Sequence, residues 1–416
     1  MRADRAILVG AGETLYMAEL GRLATTLGME VVGAVEQGRR NSTGYLGRGK
    51  REELRGLVQE TEARFVVADD ELTSSQARVL ETAARVAVVD RTELIIRIFE
   101  AHARDAASRL EVELADLEYR LPRVKGRNPE LSRLGGGGVT TRGPGEQQLE
   151  YDRRAIRRRM QTINRKLEEE KAARAVRGKR LKEEGPPTVA LAGYTNAGKT
   201  TILNALSGAG RSTRDRLFET LETTTRVVEG GRVSGDGSGA RPDFVVTDTV
   251  GFIRKLPTQL VHSFASTLEA ARDADVRVLC ADASSEELEE EILTVRRTLS
   301  ETLAAGNGSA PGATILCLNK MDLVCAEREA KLRREYHDAV MISALADYEA
   351  LLARIYRAIA SGRQRMEVLI PHAEYAAASR LYGTAEIHAQ RNTEDGVWMD
   401  VSLPHAATAK YASYRI

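Results

Sequence analysis

From Thr188 to Leu206 the chain reads TVALAGYTNAGKTTILNAL: an apolar strand-forming run, a turn between two glycines, then a helix opening on Lys-Thr. Few segments restrict a fold so tightly. Gly193, Tyr194, Thr195, Asn196, Ala197, Gly198, Lys199 and Thr200 satisfy G-x-x-x-x-G-K-[ST], a spacing that needs a strand to deliver the turn and a helix to receive it. The glycines let backbone amides curl around a β-phosphate. Lys199 is placed to neutralise β- and γ-oxygens, and the Thr200 hydroxyl to ligate Mg²⁺. The positive end of the following helix adds to the same pull.

Two further strands end in matching chemistry. FVVTDTVGF closes on Asp248, Thr249, Val250 and Gly251, an Asp-x-x-Gly turn. Asp248 can hold Mg²⁺ through water, and the Gly251 amide can meet a γ-phosphate. TILCLNKMD closes on Asn319, Lys320, Met321 and Asp322. A carboxylate at Asp322 accepts both the N1 and N2 protons of guanine, which adenine does not offer, so ATP should be rejected. Ser343 and Ala344, after AVMI, supply a backbone amide for guanine O6. In LFETLETTTRVVEG, residues Phe218, Glu219, Thr220, Leu221 and Glu222 are expected to border the nucleotide. Thr220 is the first choice for a second Mg²⁺ hydroxyl and Thr224 the second, with Thr223 and Thr225 also in reach. The position after Asp-x-x-Gly, where many GTPases carry a water-orienting glutamine, is Phe252. An aromatic ring cannot hold water by hydrogen bonding, so free turnover should be slow and a partner should supply what is missing. Lys199 and Phe252 are therefore the positions expected to govern catalysis.

The remaining chain divides by composition. Before about residue 105, AILVG, VVGAV, FVVAD and VAVVD alternate with helix-like stretches, which predicts a small parallel α/β domain. Gly10-Ala11-Gly12 looks like a dinucleotide turn but lacks the third glycine, Leu15 standing there. Tyr45 to Lys50 reads either as an anion nest or as an ordinary turn into a helix. Over 106–185, Leu110, Leu114, Leu117 and Leu121, then Ile156, Met160, Ile163 and Leu167, keep an a/d stepping. Two antiparallel helices are expected, joined by a glycine-rich loop at 126–147. The second helix carries thirteen basic side chains against five acidic ones between Arg153 and Glu184. Arg153, Arg154, Arg157, Arg158 and Arg159, with Arg142 in the loop, are the candidates for RNA phosphates. Gly185-Pro186-Pro187 marks a boundary; the nucleotide domain spans 186–362 and a small α+β domain 363–416. Basic and acidic side chains nearly balance, at 61 and 60, so only local segregation speaks of nucleic acid. Cys280, Cys317 and Cys325 lack metal-ligand spacing and are expected to be reduced and buried. The N-terminus has no signal-peptide layout and no apolar run spans a bilayer. A cytoplasmic protein without stable membrane insertion is expected, which leaves room for peripheral membrane association.

With these residues laid out, the chain resembles the HflX family of ribosome-associated GTPases over nearly its whole length. The likeness rests on GYTNAGKT, LFETLETTTR and DTVGFIRKLPTQLVHSFASTLEA. It rests equally on LSRLGGGGVTTRGPGEQQLEYDRRAIRRRM in the linker and on YLGRGKREEL, DDELTSSQARVLE and VVDRTELIIRIF before it. The resemblance implies a monomeric cytosolic enzyme that binds GTP and GDP with Mg²⁺. It also implies binding to the large (50S) ribosomal subunit and its rRNA, and splitting or rescue of stalled or idle ribosomes. Some members also hydrolyse ATP and act on RNA through the N-terminal domain. The alternatives are a GTP-regulated, ATP-dependent RNA remodeller, or a GTPase switch acting on another RNA or a protein. Lys255 and Thr258 stand where members more often have Asp and His, and Gln147 and Tyr151 where they often have Thr. A glycine-rich insertion from Gly230 to Ala240 is expected to form a disordered hairpin tip.

Overall fold

The computed structural model describes residues 4–12, 16–126, 144–208, 224–230, 241–255, 270–304, 312–404 and 408–416. They fall into two compact units. One takes the described chain through Glu170 together with Lys255; the other takes the remainder from Lys171 to Ile416.

In the first unit, strands β1 (Asp4–Ala11), β2 (Met29–Gln37), β3 (Phe65–Ala68) and β4 (Ala87–Asp90) alternate with helices α1 (Met17–Thr26), α2 (Arg48–Thr61) and α3 (Ser74–Ala84). All four strands run parallel in the order β2-β1-β3-β4. The apolar runs are continuous rather than alternating, because helices cover both faces of such a sheet. Ala6 to Val9 are accordingly buried without a break. The Gly10-Ala11-Gly12 turn serves the fold: Ala11 N–H donates to the Tyr45 hydroxyl at 3.2 Å and Gly12 N–H to the Gln37 carbonyl at 2.9 Å. Of the two readings of Tyr45 to Lys50, the turn prevails. Gly47 is the N-cap of α2, and Arg48 and Lys50 pair with Glu52 and Glu53 on the same helix. Lys255 donates to Asp69 Oδ2 and Asp70 Oδ1, both at 2.8 Å.

Helix α4 (Arg91–His102) starts under the Asp90 side chain, which accepts from Glu93 N–H at 2.9 Å. Helix α5 (Ala106–Arg120) packs on it, and α6 (Pro144–Glu184) follows as a 41-residue helix. Leu114 and Ile163 are buried on the expected a/d stripes. Arg159 clamps Glu113 with two hydrogen bonds of 2.6 and 2.7 Å, which ties α5 to α6.

The second unit is built on a six-stranded sheet. Its strands are β5 (Thr188–Gly193), β6 (Thr224–Val228), β7 (Phe244–Asp248), β8 (Val276–Asp282), β9 (Ala313–Asn319) and β10 (Val340–Met341), in the order β10-β9-β8-β5-β7-β6. Only β6 runs antiparallel to its neighbour. Helices α7 (Lys199–Leu206), α8 (Leu288–Ala304), α9 (Ala326–Glu335) and α10 (Glu349–Ser361) complete this α/β layer structure. Val189, Leu191, Val276, Val278 and Phe244 join α7 and α10 in one core, while Ala281, Leu288, Ile292, Leu318 and Leu332 fill the other face. A three-stranded antiparallel sheet follows: β11 (Arg363–Pro371), β12 (Glu386–Asn392) and β13 (Gly396–Pro404), with helix α11 (Tyr375–Thr384) against it. There Met366, Val368 and Ile370 are buried at every second position, the signature of a sheet covered on one side. Cys280 and Cys317 are buried as expected, but Cys325 is exposed at the cap of α9. Burial in the sheet pushes the Cys280 thiol up to about 12, so it is inert. Among the described residues no helix is long and apolar enough to cross a membrane.

Candidate nucleotide site

Strand β5 hands the chain to a loop that turns through positive φ at Asn196 (65°) and Gly198 (86°). Gly198 is constrained twice. Its backbone is left-handed, and a Cβ there would overlap the Asn319 side-chain amide. Helix α7 begins at the next residue with no side-chain cap, so its leading N–H groups are open to an anion. Lys199 folds back across the loop and donates to the carbonyls of Gly193 at 3.1 Å and Tyr194 at 2.9 Å. An ammonium has three N–H bonds, so one remains for a phosphate oxygen. Burial pulls the Lys199 pKa down, and the neighbouring Asp248 carboxylate opposes that shift. A phosphate would act in the same sense as Asp248.

At the end of β7 the Asp248 side chain is wholly buried, and Oδ2 accepts from the Thr200 hydroxyl at 2.7 Å. Two hard oxygens side by side next to Lys199 suit Mg²⁺. This ion characteristically takes one or two protein oxygens and completes its shell with phosphates and water. Among the described residues no group of three or more His, Cys, Asp or Glu could hold a metal ion. Thr225 is spent on Thr247, with their hydroxyls 3.1 Å apart. Thr224 lies at the head of β6, in register with Asp248. Thr220 falls outside the described residues, as do Phe218, Glu219, Leu221 and Glu222.

The turn after Asp248 is zipped to the phosphate loop. Thr249 donates through its hydroxyl to the Leu191 carbonyl at 2.7 Å, so that side chain holds β7 to β5 rather than facing a ligand. Gly251 packs so closely on Thr195 and Lys199 that a Cβ would crowd both. Phe252 N–H donates to Gly193 O at 3.0 Å, and Phe252 O accepts from Thr195 N–H at 2.8 Å. The Phe252 ring itself is buried. Beyond it, Arg254 N–H donates to the Tyr194 hydroxyl at 2.8 Å, and the Arg254 guanidinium pairs with Glu287 and with Glu290 at 2.9 Å. Tyr194 and Arg254 thus act as struts, which motif spacing alone did not reveal.

The loops that would meet a base are joined to the phosphate loop through one side chain. Asn319 donates from Nδ2 to the Ala197 carbonyl and accepts at Oδ1 from Ala344 N–H, both at 3.0 Å. Met321 N–H reaches the Ile342 carbonyl at 3.2 Å. Lys320, at φ 64°, is held to Asp282 at 2.8 Å. Asp322 is exposed, and its Oδ1 accepts from the Ser343 hydroxyl at 2.6 Å. The carboxylate expected to reject ATP therefore stands at the surface. In the structure it is the incoming base that would cover it.

The arginine candidates separate on α6. Arg154 pairs with Glu150 at 3.2 Å and Arg159 with Glu113. Arg157 and Arg158 are exposed, and neither has a carboxylate partner among the described residues. Arg153 is half-buried, and Arg142 lies outside the described residues.

Residues 14–100 match a family model described as GTP-binding GTPase N-terminal, and 102–180 one described as GTP-binding GTPase Middle Region. Residues 188–320 match one described as 50S ribosome-binding GTPase. The chain is 45% identical over 331 residues to the GTPase HflX of Caldanaerobacter subterraneus subsp. tengcongensis, covering 77% of this chain and 73% of that one. It is 35% identical over 401 residues to the GTPase HflX of Lacrimispora saccharolytica, covering 95% and 90%. To that of Magnetococcus marinus it is 35% identical over 424 residues, covering 98% and 94%.

Proposed function

The chain belongs to the HflX family of GTPases and is a GTP hydrolase, and on that premise we propose that it binds the large ribosomal subunit and couples GTP hydrolysis to the splitting or rescue of stalled or idle ribosomes in the cytoplasm. One observation supports the nucleotide half of this reading above the rest. Asn319 ties the phosphate loop to the Asp322 and Ala344 loops while Thr200 meets Asp248 at 2.7 Å, so phosphate, metal and base positions share one rigid frame. Groups held in place before the substrate arrives cost little reorganisation in the transition state.

In this reading the loop amides from Gly198 to Thr200, whose neighbours Thr195 and Ala197 are bonded within the protein, cradle the β-phosphate, and Lys199 neutralises the β- and γ-oxygens. Thr200 and Asp248 would hold Mg²⁺, with a switch threonine (Thr220 first, Thr224 second) completing its shell. When bound, the ion supplies positive charge against the phosphates. Gly251 brings its amide to the γ-phosphate, since the backbone there has no side chain to keep a ligand away. Asp322 accepts the guanine N1 and N2 protons, and the Ala344 region faces O6. Phe252 offers no polar atom, and its backbone is committed to the phosphate loop. The group that orients the attacking water must therefore come from elsewhere, and the ribosome is the partner that would bring it into register.

On α6, Arg157 and Arg158 supply the exposed charge for ribosomal RNA. Reversing both to Glu should weaken co-sedimentation with large subunits and lower the salt slope of binding by about two. GDP affinity should not move. Arg159→Glu is a different variant, because it breaks the clamp on Glu113 and should lower stability instead. Equal co-sedimentation of wild type and the Arg157→Glu/Arg158→Glu variant at every salt concentration would reduce this stretch to a solvated helix face.

A further inference from the structure

The nucleotide loops leave the carboxyl ends of the strands. At the opposite, amino ends of β8 and β9 the same unit contains a cavity of about 750 Å³. Register pairs Arg277 with Thr314 and Leu279 with Leu316, so these four side chains share the sheet face under α8 and α9. Further along that face the apolar cluster around Ala281, Ile292 and Leu318 fills the space. Toward the amino ends the filling stops and the cavity begins, walled by Leu299 and Tyr336.

Arg277 is only 2% exposed. Its guanidinium donates to the Thr314 hydroxyl at 3.4 Å, the Arg272 carbonyl at 3.3 Å and the Gly312 carbonyl. All three acceptors are neutral. Burial pulls its pKa down, with no carboxylate opposing the shift. Arg296 and Arg354 line the same cavity, again with no ion pair among the described residues. The acidic residues on the wall, Glu335 and Asp338, are exposed and make no hydrogen bond to Arg277; Glu335 lies 3.6 Å from Lys331 and Asp338 3.2 Å from His337. A buried cation with no counter-charge is unfavourable unless something supplies one.

We propose that this cavity binds a small phosphate-bearing organic anion, whose phosphate is met by Arg296 and Arg354 on the wall, with the buried Arg277 adding positive charge from beneath, and whose apolar part rests on Leu299 and Tyr336. Two guanidinium groups on the wall over a buried third cation match a doubly charged oxyanion, and the planar fork of arginine suits phosphate geometry. The volume falls in the range of about 300–1,000 Å³ typical of small-ligand sites. The site is separate from the nucleotide loops, and filling it gives α8 a ligand-dependent anchor at its carboxyl half.

The test uses the full chain saturated with GDP and magnesium, so that the phosphate loop is already occupied. Phenyl phosphate is titrated calorimetrically at constant ionic strength. One saturable event is expected, absent with phenol and weakened about tenfold or more in the Arg296→Ala/Arg354→Ala variant. Arg277→Met, which removes the charge beneath the site, should weaken it as well; if that chain does not fold, the double variant at the cavity wall still decides. Absence of saturable binding, or equal binding by the double variant, would overturn the proposal. So would a single-stranded RNA oligomer that binds through Arg296 and Arg354 where phenyl phosphate does not.

Discussion

Lys199→Ala should lower GTP turnover by about 10²–10³-fold or more, the scale on which removing one preorganised transition-state partner acts. The ammonium bridges the Gly193 and Tyr194 carbonyls. Its loss removes the charge nearest the transferring phosphoryl group and leaves Asp248 without a close cation. Stability should fall as well, because Gly193 and Tyr194 lose a donor and the buried Asp248 a neighbouring cation. Phosphate release at saturating GTP, compared with thermal unfolding of the same preparations, separates the two effects. Thr200→Ala should fall in parallel, and excess chelator should stop the wild type. Wild-type turnover by Lys199→Ala would remove the phosphate loop from the reaction.

Asp322→Asn should exchange guanine for xanthine. Two charge-assisted hydrogen bonds worth about 1.5–3 kcal/mol each are weakened, so GTP affinity should fall about 10²–10³-fold. The geometry also fixes how the new amide sits. Ser343 donates to Oδ1, which an asparagine oxygen can still accept, so the amide NH₂ takes the position facing the base. That NH₂ would donate to the C2 carbonyl that xanthine carries in place of the guanine amino group, and affinity for xanthosine triphosphate should rise. Because Asp322 is exposed before a base covers it, discrimination should be smaller than at a site built around a permanently buried carboxylate. Competition binding with GTP, xanthosine triphosphate and ATP reads this out. Unchanged GTP affinity would place the base elsewhere.

Much of this was legible in the residues. Continuous apolar runs such as AILVG and TVALAG marked strands covered on both faces. The small α+β domain at 363–416 was expected from its short apolar runs, but not that its first strand buries only every second residue. What escaped was whatever depends on partners distant in the chain. Asn319 reads as the first residue of a base-recognition motif, but its two bonds reach Ala197 and Ala344, a link that spacing within the motif cannot express. Thr249 sits inside Asp-x-x-Gly yet serves the strand pair, because its hydroxyl finds Leu191 only once β5 and β7 are side by side. The basic helix shows the opposite limit. Its charge was plain in the sequence, but Arg157 and Arg158 separate from Arg154 and Arg159 only when Glu150 and Glu113 are seen to be taken.

Phe252 carries the central claim, that this is a switch completed by a partner rather than a self-sufficient enzyme. Its ring is buried, and its backbone N–H and carbonyl are both bonded to the phosphate loop, so no side chain there can orient water. The direct measurement is GTP turnover by the pure protein, alone and with isolated large ribosomal subunits. Slow turnover alone, raised at least about tenfold by the subunits, is the predicted result. Fast turnover by the free protein, unchanged when subunits are added, would contradict it.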